Sequence, residues 1–221
     1  LHEDTLTRQR RVLGEDHPDT LTTANNLALV LHALGEYSAA RQLHEDTLTR
    51  RRRVLGADHP DTLATANNLA TGLYLLGDYS AARQLHEDTL TRRRRVLGDD
   101  HPHTLTTANN LAAALRELGE HAAAHQLHED TLTRQRRVLG DDHPDTLITA
   151  NNLALDLHAL GKYSAAHQLH EDTLTRRRRV LGEDHPHTLT TTNNLAATLH
   201  ALGEHAAADQ LEQWVRAQRA T

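Results

Sequence analysis

The sequence repeats itself with a period of 42 residues. The triplet Asp-His-Pro recurs five times, with its proline at Pro18, Pro60, Pro102, Pro144 and Pro186. Asn-Asn-Leu-Ala and His-Glu-Asp-Thr-Leu each recur five times in the same register. A fixed period of this length is typical of solenoids, in which each unit buries its apolar face against its neighbours. The repeat therefore restricts the chain to a small group of folds.

Each period predicts two amphipathic helices, which we call helix A and helix B. Helix A of the first full repeat is expected to begin at Asp16-His17-Pro18-Asp19, because proline suits the first helical turn and aspartates can cap free backbone N–H groups. It should end at Gly35, and its apolar stripe is Leu21, Ala24, Leu27, Ala28, Leu31 and Leu34. Helix B should run from about Tyr37 to Leu55, with the stripe Ala40, Leu43, His44, Thr47, Leu48, Val54 and Leu55. The short turn between them predicts an antiparallel hairpin.

The hairpins predict an all-α fold, a right-handed superhelical α-solenoid, as a single array over residues 1–221. The predicted segments are the end of a helix B at 1–14, full repeats at 15–56, 57–98, 99–140 and 141–182, and a last repeat with a C-terminal capping helix at 183–221. The chain begins inside a helix B, where Leu1 aligns with Leu43, and has no initiator methionine. We therefore expect it to be the C-terminal part of a longer array.

The pattern Leu27-Ala28, Leu31, Leu34-Gly35, Tyr37 and Ala40 resembles the tetratricopeptide repeat. The 42-residue period with Asn-Asn-Leu-Ala, Val-Leu-Gly and His-Pro is similar to the kinesin light chain subtype, whose helix B is longer. The resemblance covers essentially the whole chain. It implies a scaffold in which the helices A line a concave groove that binds a protein or peptide segment.

The chain departs from this pattern in helix B. The family usually has a large aromatic residue and a small alanine where His44 and Thr47 stand, so packing there should be looser or more polar. HEAT and armadillo repeats have similar periods but lack the Gly-x-Tyr-x-x-Ala pattern.

Five internal copies separate constant positions from variable ones. The stripe leucines of helix A are constant, whereas the positions of Leu29, Val30, His32 and Ala33 vary; those aligned with Val30 are Gly72, Ala114, Asp156 and Thr198. Such variation is expected of a surface that contacts a partner, although any solvent-facing position also drifts. The candidate partner-binding residues are Asn25, Asn26, Leu29, His32, Asn67, Asn68, Thr71, Tyr74, Asn109, Asn110, Ala113, Arg116, Glu117, Asn151, Asn152, Leu155, His158, Asn193 and Asn194.

The asparagine pair is polar yet identical in all five copies. An asparagine side chain offers both a donor and an acceptor, and the kinesin light chain resemblance implies a ladder of amides that bonds a peptide backbone. Alternatively, one of the pair bonds to the neighbouring repeat. We assign the ligand-facing role to Asn26 and a partly structural role to Asn25, with Arg116, Glu117 and Asp156 as the only charged residues of the groove.

The arginine runs Arg50–Arg53, Arg92–Arg95 and Arg176–Arg179 form a basic stripe at the end of helix B. We expect a solvated face neutralised by aspartates, such as Asp46 four residues before Arg50. Phosphate or nucleic-acid binding along this ridge is the alternative. The net charge of −6 and the 2% of aromatic residues argue against it.

Nineteen histidines suggest a metal site, but ten of them belong to the repeated motifs. His121, His125 and His128 have a spacing that could bind zinc adventitiously, and we predict no physiological metal and no cofactor. The chain lacks cysteine, a Gly-rich phosphate loop and a histidine-glutamate zinc motif, so we do not predict an enzyme.

The predicted function is therefore a protein–protein interaction scaffold in a larger bacterial signalling protein. No signal peptide and no run of about 18 apolar residues is present, so we expect a cytoplasmic location without membrane partners. Self-association through the uncapped N-terminal end is a further alternative.

Overall fold

The structure is a computed structural model that describes residues 2–218. Within this range the chain forms eleven α-helices and no β-strand, which confirms the predicted all-α class. The helices B are α1 (His2–Val12), α3 (Tyr37–Val54), α5 (Tyr79–Leu97), α7 (His121–Leu139), α9 (Tyr163–Leu181) and α11 (His205–Gln218). The helices A are α2 (Pro18–Ala33), α4 (Pro60–Leu75), α6 (Pro102–Glu117), α8 (Pro144–Ala159) and α10 (Pro186–Leu202). Leu1 and residues 219–221 of the predicted capping helix lie outside the described residues.

The chain divides into two compact units, residues 1–114 and 115–221, with the boundary inside α6. In the first unit, α1 packs on α2, α2 on α3, α3 on α4 and α4 on α5. In the second unit, α7 packs on α8, α8 on α9, α9 on α10 and α10 on α11. In both units a helix B such as α3 or α9 therefore contacts the helix A of its own repeat and that of the next.

A histidine caps each helix A. Nδ1 of His17 accepts a hydrogen bond from the backbone N–H of Asp19 at 3.2 Å, and Pro18 occupies the first helical position. The same bond recurs at 3.2 Å with His59, His101, His143 and His185. The predicted aspartate cap is replaced by His17 at the N-cap position; Asp19 lies in the first turn, and Asp16 is bound by Arg50 and Arg53 of helix B.

A Schellman motif ends helix A at Gly35. This glycine has φ of 79°, its N–H bonds to the carbonyl of His32, and the N–H of Glu36 bonds to the carbonyl of Leu31. The chain leaves the helical path at Leu34, whose relative exposure is 69%. The assignment of Leu34 to the buried stripe is therefore wrong, whereas Leu21, Ala24, Leu27 and Ala28 are buried as predicted.

Leucine and alanine side chains form the core of both units. The first unit contains the cluster Leu48, Ala66, Leu69, Leu73, Ala82 and Ala114, and the second contains Leu174, Leu195, Ala196, Leu199 and Ala208. His44 and Thr47 are also buried, and the Thr47 hydroxyl donates to the carbonyl of Leu43 at 2.7 Å. Packing at this departure from the family pattern is thus polar and closed to solvent. Val54 is exposed, contrary to its assignment to the stripe, and Arg51 is buried instead.

None of the helices described within residues 2–218 has both the length and the apolar character that crossing a bilayer requires.

Candidate partner-binding surface

In three repeats the first asparagine of the pair contacts the next helix A. Asn25 has a relative exposure of 8%, and its Oδ1 lies 3.3 Å from the hydroxyl of Thr65 and 3.4 Å from Nδ2 of Asn68. The same hydroxyl-to-amide contact recurs at 3.1 Å in Thr107–Asn67 and at 3.2 Å in Thr191–Asn151. A buried amide needs such partners, because an unpaired polar group away from water is destabilising. Asn25, Asn67 and Asn151 therefore each connect one repeat to the next.

The second asparagine lies closer to solvent. Asn26 is exposed, and its equivalents are half-buried: Asn68, Asn110, Asn152 and Asn194. Nδ2 of Asn194 donates to Asn151 at 3.1 Å, as Asn68 does to Asn25, and Oδ1 of Asn110 accepts from its neighbour Asn109 at 3.3 Å. One such bond uses only part of the hydrogen-bonding capacity of an asparagine.

Two neighbouring variable positions of helix A differ in their exposure to solvent. Leu29 is 44% exposed, and the aligned residues Thr71, Ala113 and Leu155 are half-buried. One position later, Val30 is 38% exposed, but the four residues aligned with it are buried: Gly72, Ala114, Asp156 and Thr198. Variation among these four buried residues therefore reflects packing and not contact with a partner.

Three candidate residues pack at the turn of their own hairpin. The ring of His32 meets Tyr37 edge to face with a centroid distance of 5.2 Å. The equivalent pairs are Tyr74–Tyr79 at 5.3 Å and His158–Tyr163 at 5.1 Å. These contacts hold the half-buried rings of His32, Tyr74 and His158 in fixed orientations while one part of each remains open to solvent.

Asp156 belongs to a buried polar cluster in the second unit. Its side chain is 0% exposed, its Oδ2 lies 2.5 Å from Nδ1 of His128, and its Oδ1 lies 3.6 Å from Nη1 of Arg116. A carboxylate removed from water requires partners of this kind. The prediction that Asp156 is a charged residue of the groove is therefore wrong, whereas Glu117 is exposed.

The second arginine of each run is buried, which the sequence analysis missed. Nη1 of Arg51 donates to the carbonyl of Asp61 at 2.8 Å and to the Thr65 hydroxyl at 2.9 Å, and Nη2 donates to Thr22 at 3.1 Å. Arg93 and Arg177 make equivalent bonds, and burial lowers the pKa of each to about 10. The helical spacing from Thr47 and Leu48 could have revealed this position.

The first and fourth arginines of a run are paired with aspartates of their own repeat. Arg50 makes the predicted bond with Asp46 at 2.9 Å and a further bond with Asp16 at 3.1 Å, and Arg53 reaches Asp16 at 2.5 Å. The Arg53 hydrogen bond is the main cause that lowers the pKa of Asp16. Asp142 is bound in the same way by Arg176 and Arg179.

The histidine trio considered as a metal site is not assembled as one. His128 is fully buried against Asp156, whereas His121 and His125 are half-buried. Among the residues that the structure describes, these three do not come together as a group of metal ligands.

The chain belongs to the tetratricopeptide repeat family. One profile of this family matches residues 1–53, 24–95 and 168–220, and a second matches residues 104–145 and 146–187. Both profiles describe the tetratricopeptide repeat. No curated protein matches the sequence.

Solved structures support the narrower kinesin light chain resemblance. Nearly identical TPR-like repeats of a kinesin light chain-like protein from Podosopora anserina share 28% identity over 92% of this chain and 96% of theirs, with a TM-score of 0.77. BtubC (BKLC) from P. vanneervenii shares 21% identity over 99% of this chain and 88% of its own, with a TM-score of 0.80. NprR in complex with its cognate peptide NprX shares 17% identity over 96% of this chain and 60% of its own, with a TM-score of 0.72. The predicted tetratricopeptide repeat family is confirmed, and the 28% identity with the Podosopora repeats supports the kinesin light chain-like subtype.

Proposed function

We propose that this protein is a protein-interaction scaffold that binds a peptide or partner segment along the solvent-facing side chains of its helices A. The observation that carries the proposal is the exposure of apolar side chains beside a core of constant leucines. Leu29 and Leu75 are 44% and 46% exposed, although Leu27 and Leu73 in the same helices are buried. Packing of the hairpins does not require a leucine at either exposed position.

We define the contact surface in the first unit by six residues of α2 and α4: Asn26, Leu29, Ala33, Asn68, Thr71 and Leu75. It combines exposed aliphatic groups with amides that retain hydrogen-bonding capacity, a mixture suited to a peptide backbone with apolar side chains. No charged residue belongs to this set. A partner with apolar anchors and little charge is therefore favoured over a strongly charged one.

The likeness to NprR supports the peptide as the class of partner. That protein was solved with its cognate peptide, and at 17% identity it shares the fold with this chain. The repeat array also suits one part of a larger bacterial signalling protein in the cytoplasm, which we include in the proposal. Fractionation of cells that express the full-length protein tests this location.

The experiment begins with selection of binders from a random peptide library on the whole chain. Affinities of the selected peptides are then compared between L29D/L75D, which places two charges on the contact surface, and V54D/V96D. Val54 and Val96 are exposed on helices B of the same unit and have similar exposure, so this variant is a matched control. Circular dichroism checks that both variants fold.

We expect the L29D/L75D variant to lose at least about tenfold in affinity, or roughly 1.4 kcal/mol, because binding energy concentrates at a few buried apolar anchors. The control should bind as the parent does. Equal losses in the two variants, or a larger loss in V54D/V96D, contradict the assignment of the surface.

A further inference from the structure

We propose that the hairpin α10–α11 carries a zinc site formed by His200, Asp209 and Glu212. Nε2 of His200 lies 3.3 Å from Oε1 of Glu212 and 3.8 Å from Oδ1 of Asp209. The three ligand atoms all lie within 4.8 Å of one another. Ligand atoms about 2.1 Å from a tetrahedral zinc are roughly 3.4 Å apart, so small side-chain adjustments close the triad around one ion.

One tautomer of the His200 ring leaves a place for a cation at this point. Its Nδ1 lies 3.2 Å from Nδ1 of His205, and one of these two nitrogens must donate to the other. When His200 donates from Nδ1, its Nε2 presents a lone pair to two carboxylates. The lone pairs of His200 Nε2 and of the two carboxylates then face each other, and a divalent cation can accept all three as ligands.

Helix geometry holds the ligands together. Asp209 and Glu212 are three residues apart on α11, so they lie on one face of the helix, and His200 reaches them from α10. Buried Ala208 and Val215 anchor α11. Two of the three ligands thus come from one helix and the third from its packed neighbour, which is a rigid base for a metal site.

The other repeats lack this ligand combination. The positions of Asp209 hold Arg41, Arg83, His125 and His167, and those of Glu212 hold His44, His86, His128 and His170. His44 and its equivalents are buried, whereas the side chains of His200 and Glu212 are 36% and 40% exposed and open to an ion. Two carboxylates therefore replace basic or imidazole side chains at this hairpin, where His200 of helix A lies close to both.

Arg216 supports the carboxylate from the far side. Its Nη2 lies 3.6 Å from Oε2 of Glu212, which leaves Oε1 directed at His200. An outer partner of this kind orients a metal ligand without occupying the ion's position.

The test titrates the chelator-treated chain with zinc and measures stoichiometry and affinity by calorimetry. The ligand variant is D209N/E212Q, which keeps the shape of both side chains and every histidine. The matched control is E171Q/D172N, which makes the same changes on α9 outside the cluster. A second variant, H200Q, removes the imidazole alone, and circular dichroism follows folding in each case.

We expect the parent and the control to bind one zinc ion that D209N/E212Q and H200Q do not bind at the same affinity. The loss should exceed the roughly 10–100-fold cost of removing an outer-shell partner. Zinc should also raise the melting temperature of the parent more than that of either ligand variant. Equal stoichiometry and affinity in all four proteins would assign the binding to scattered histidines and overturn the proposal, as would a parent without a saturable site.

Discussion

Arg93 in α5 donates from Nη1 to the hydroxyl of Thr107 in α6 at a distance of 2.6 Å. That hydroxyl lies 3.1 Å from the amide oxygen of Asn67 in α4, so one buried contact joins a helix B to two successive helices A. Because all three side chains are largely removed from water, each depends on the others for its hydrogen bonds. The constant asparagine thus has a packing role that its polarity alone does not reveal.

Replacing Arg93 with alanine should destabilise the first unit by roughly 2–4 kcal/mol, because the hydrogen bonds of a buried charged group are lost and buried acceptors remain unpaired. The control is R94A, since Arg94 is exposed and forms only a surface pair with Asp99 at 3.2 Å. That pair should contribute about 0–1 kcal/mol. Urea denaturation at neutral pH measures both, and similar losses in the two variants would show that Arg93 is not the structural residue.

Leu69 and Leu34 distinguish the buried stripe from its exposed end. Leu69 lies in the core of the first unit, so L69A should cost about 2–5 kcal/mol through lost burial and the cavity left behind. Leu34 is 69% exposed, and L34A should change stability by less than about 0.5 kcal/mol. The free energy of unfolding from denaturant titration provides the comparison. If L34A lowered the free energy of unfolding as much as L69A does, Leu34 would belong to the buried core after all.

Acid should destabilise the protein before its aspartates titrate. Burial lowers the pKa of His44, His86 and His170 from 6.5 to about 4, because the imidazolium is disfavoured away from water. As the pH falls from 6.5 towards 4, the unfolded chain gains protons that the folded chain does not. Each histidine should therefore lower the free energy of unfolding by up to about 1.4 kcal/mol per pH unit within that window.

The variant H86L tests this prediction. Its free energy of unfolding should fall less steeply between pH 6.5 and 4 than that of the parent, since one titrating group has been removed. The lowered pKa values of Asp16, Asp58 and Asp142 act mainly as the pH falls through 3.8 and below, and they affect parent and variant equally. If the free energies of unfolding of parent and variant fell with the same slope, the prediction would be wrong.

The buried pair His128 and Asp156 should show strong energetic coupling. Replacing Asp156 with alanine leaves the imidazole of His128 without its 2.5 Å partner and should cost about 3–5 kcal/mol. The double variant H128L/D156A should lose less stability than the sum of the two single variants. With both members of the pair replaced, neither is left buried without its partner. A double-mutant cycle measures the difference. Additive losses would mean that the two side chains act independently.

The hairpins were predictable because local sequence determines them. Pro18 begins helix A and Gly35 ends it in a Schellman motif, and the buried leucines Leu21 and Leu27 have helical spacing. Five copies of the pattern make each of these features unambiguous. The kinesin light chain resemblance rested on the same residues.

The remaining features depend on contacts between distant parts of the chain. His17 caps helix A, and Asp16 is instead bound by Arg50, 34 residues later in the chain. Asp156 is buried together with its partner His128, which lies 28 residues earlier on another helix. Neither relationship has a local pattern, so sequence periodicity could not separate these carboxylates from exposed ones.

The most direct test of the proposed function maps where a selected peptide lies on the chain. A photoreactive group on the peptide is cross-linked to the protein, and the modified residues are identified by mass spectrometry. We predict cross-links in the first unit to residues 26–33 of α2 and 68–75 of α4. Cross-links confined to the helices B would contradict it.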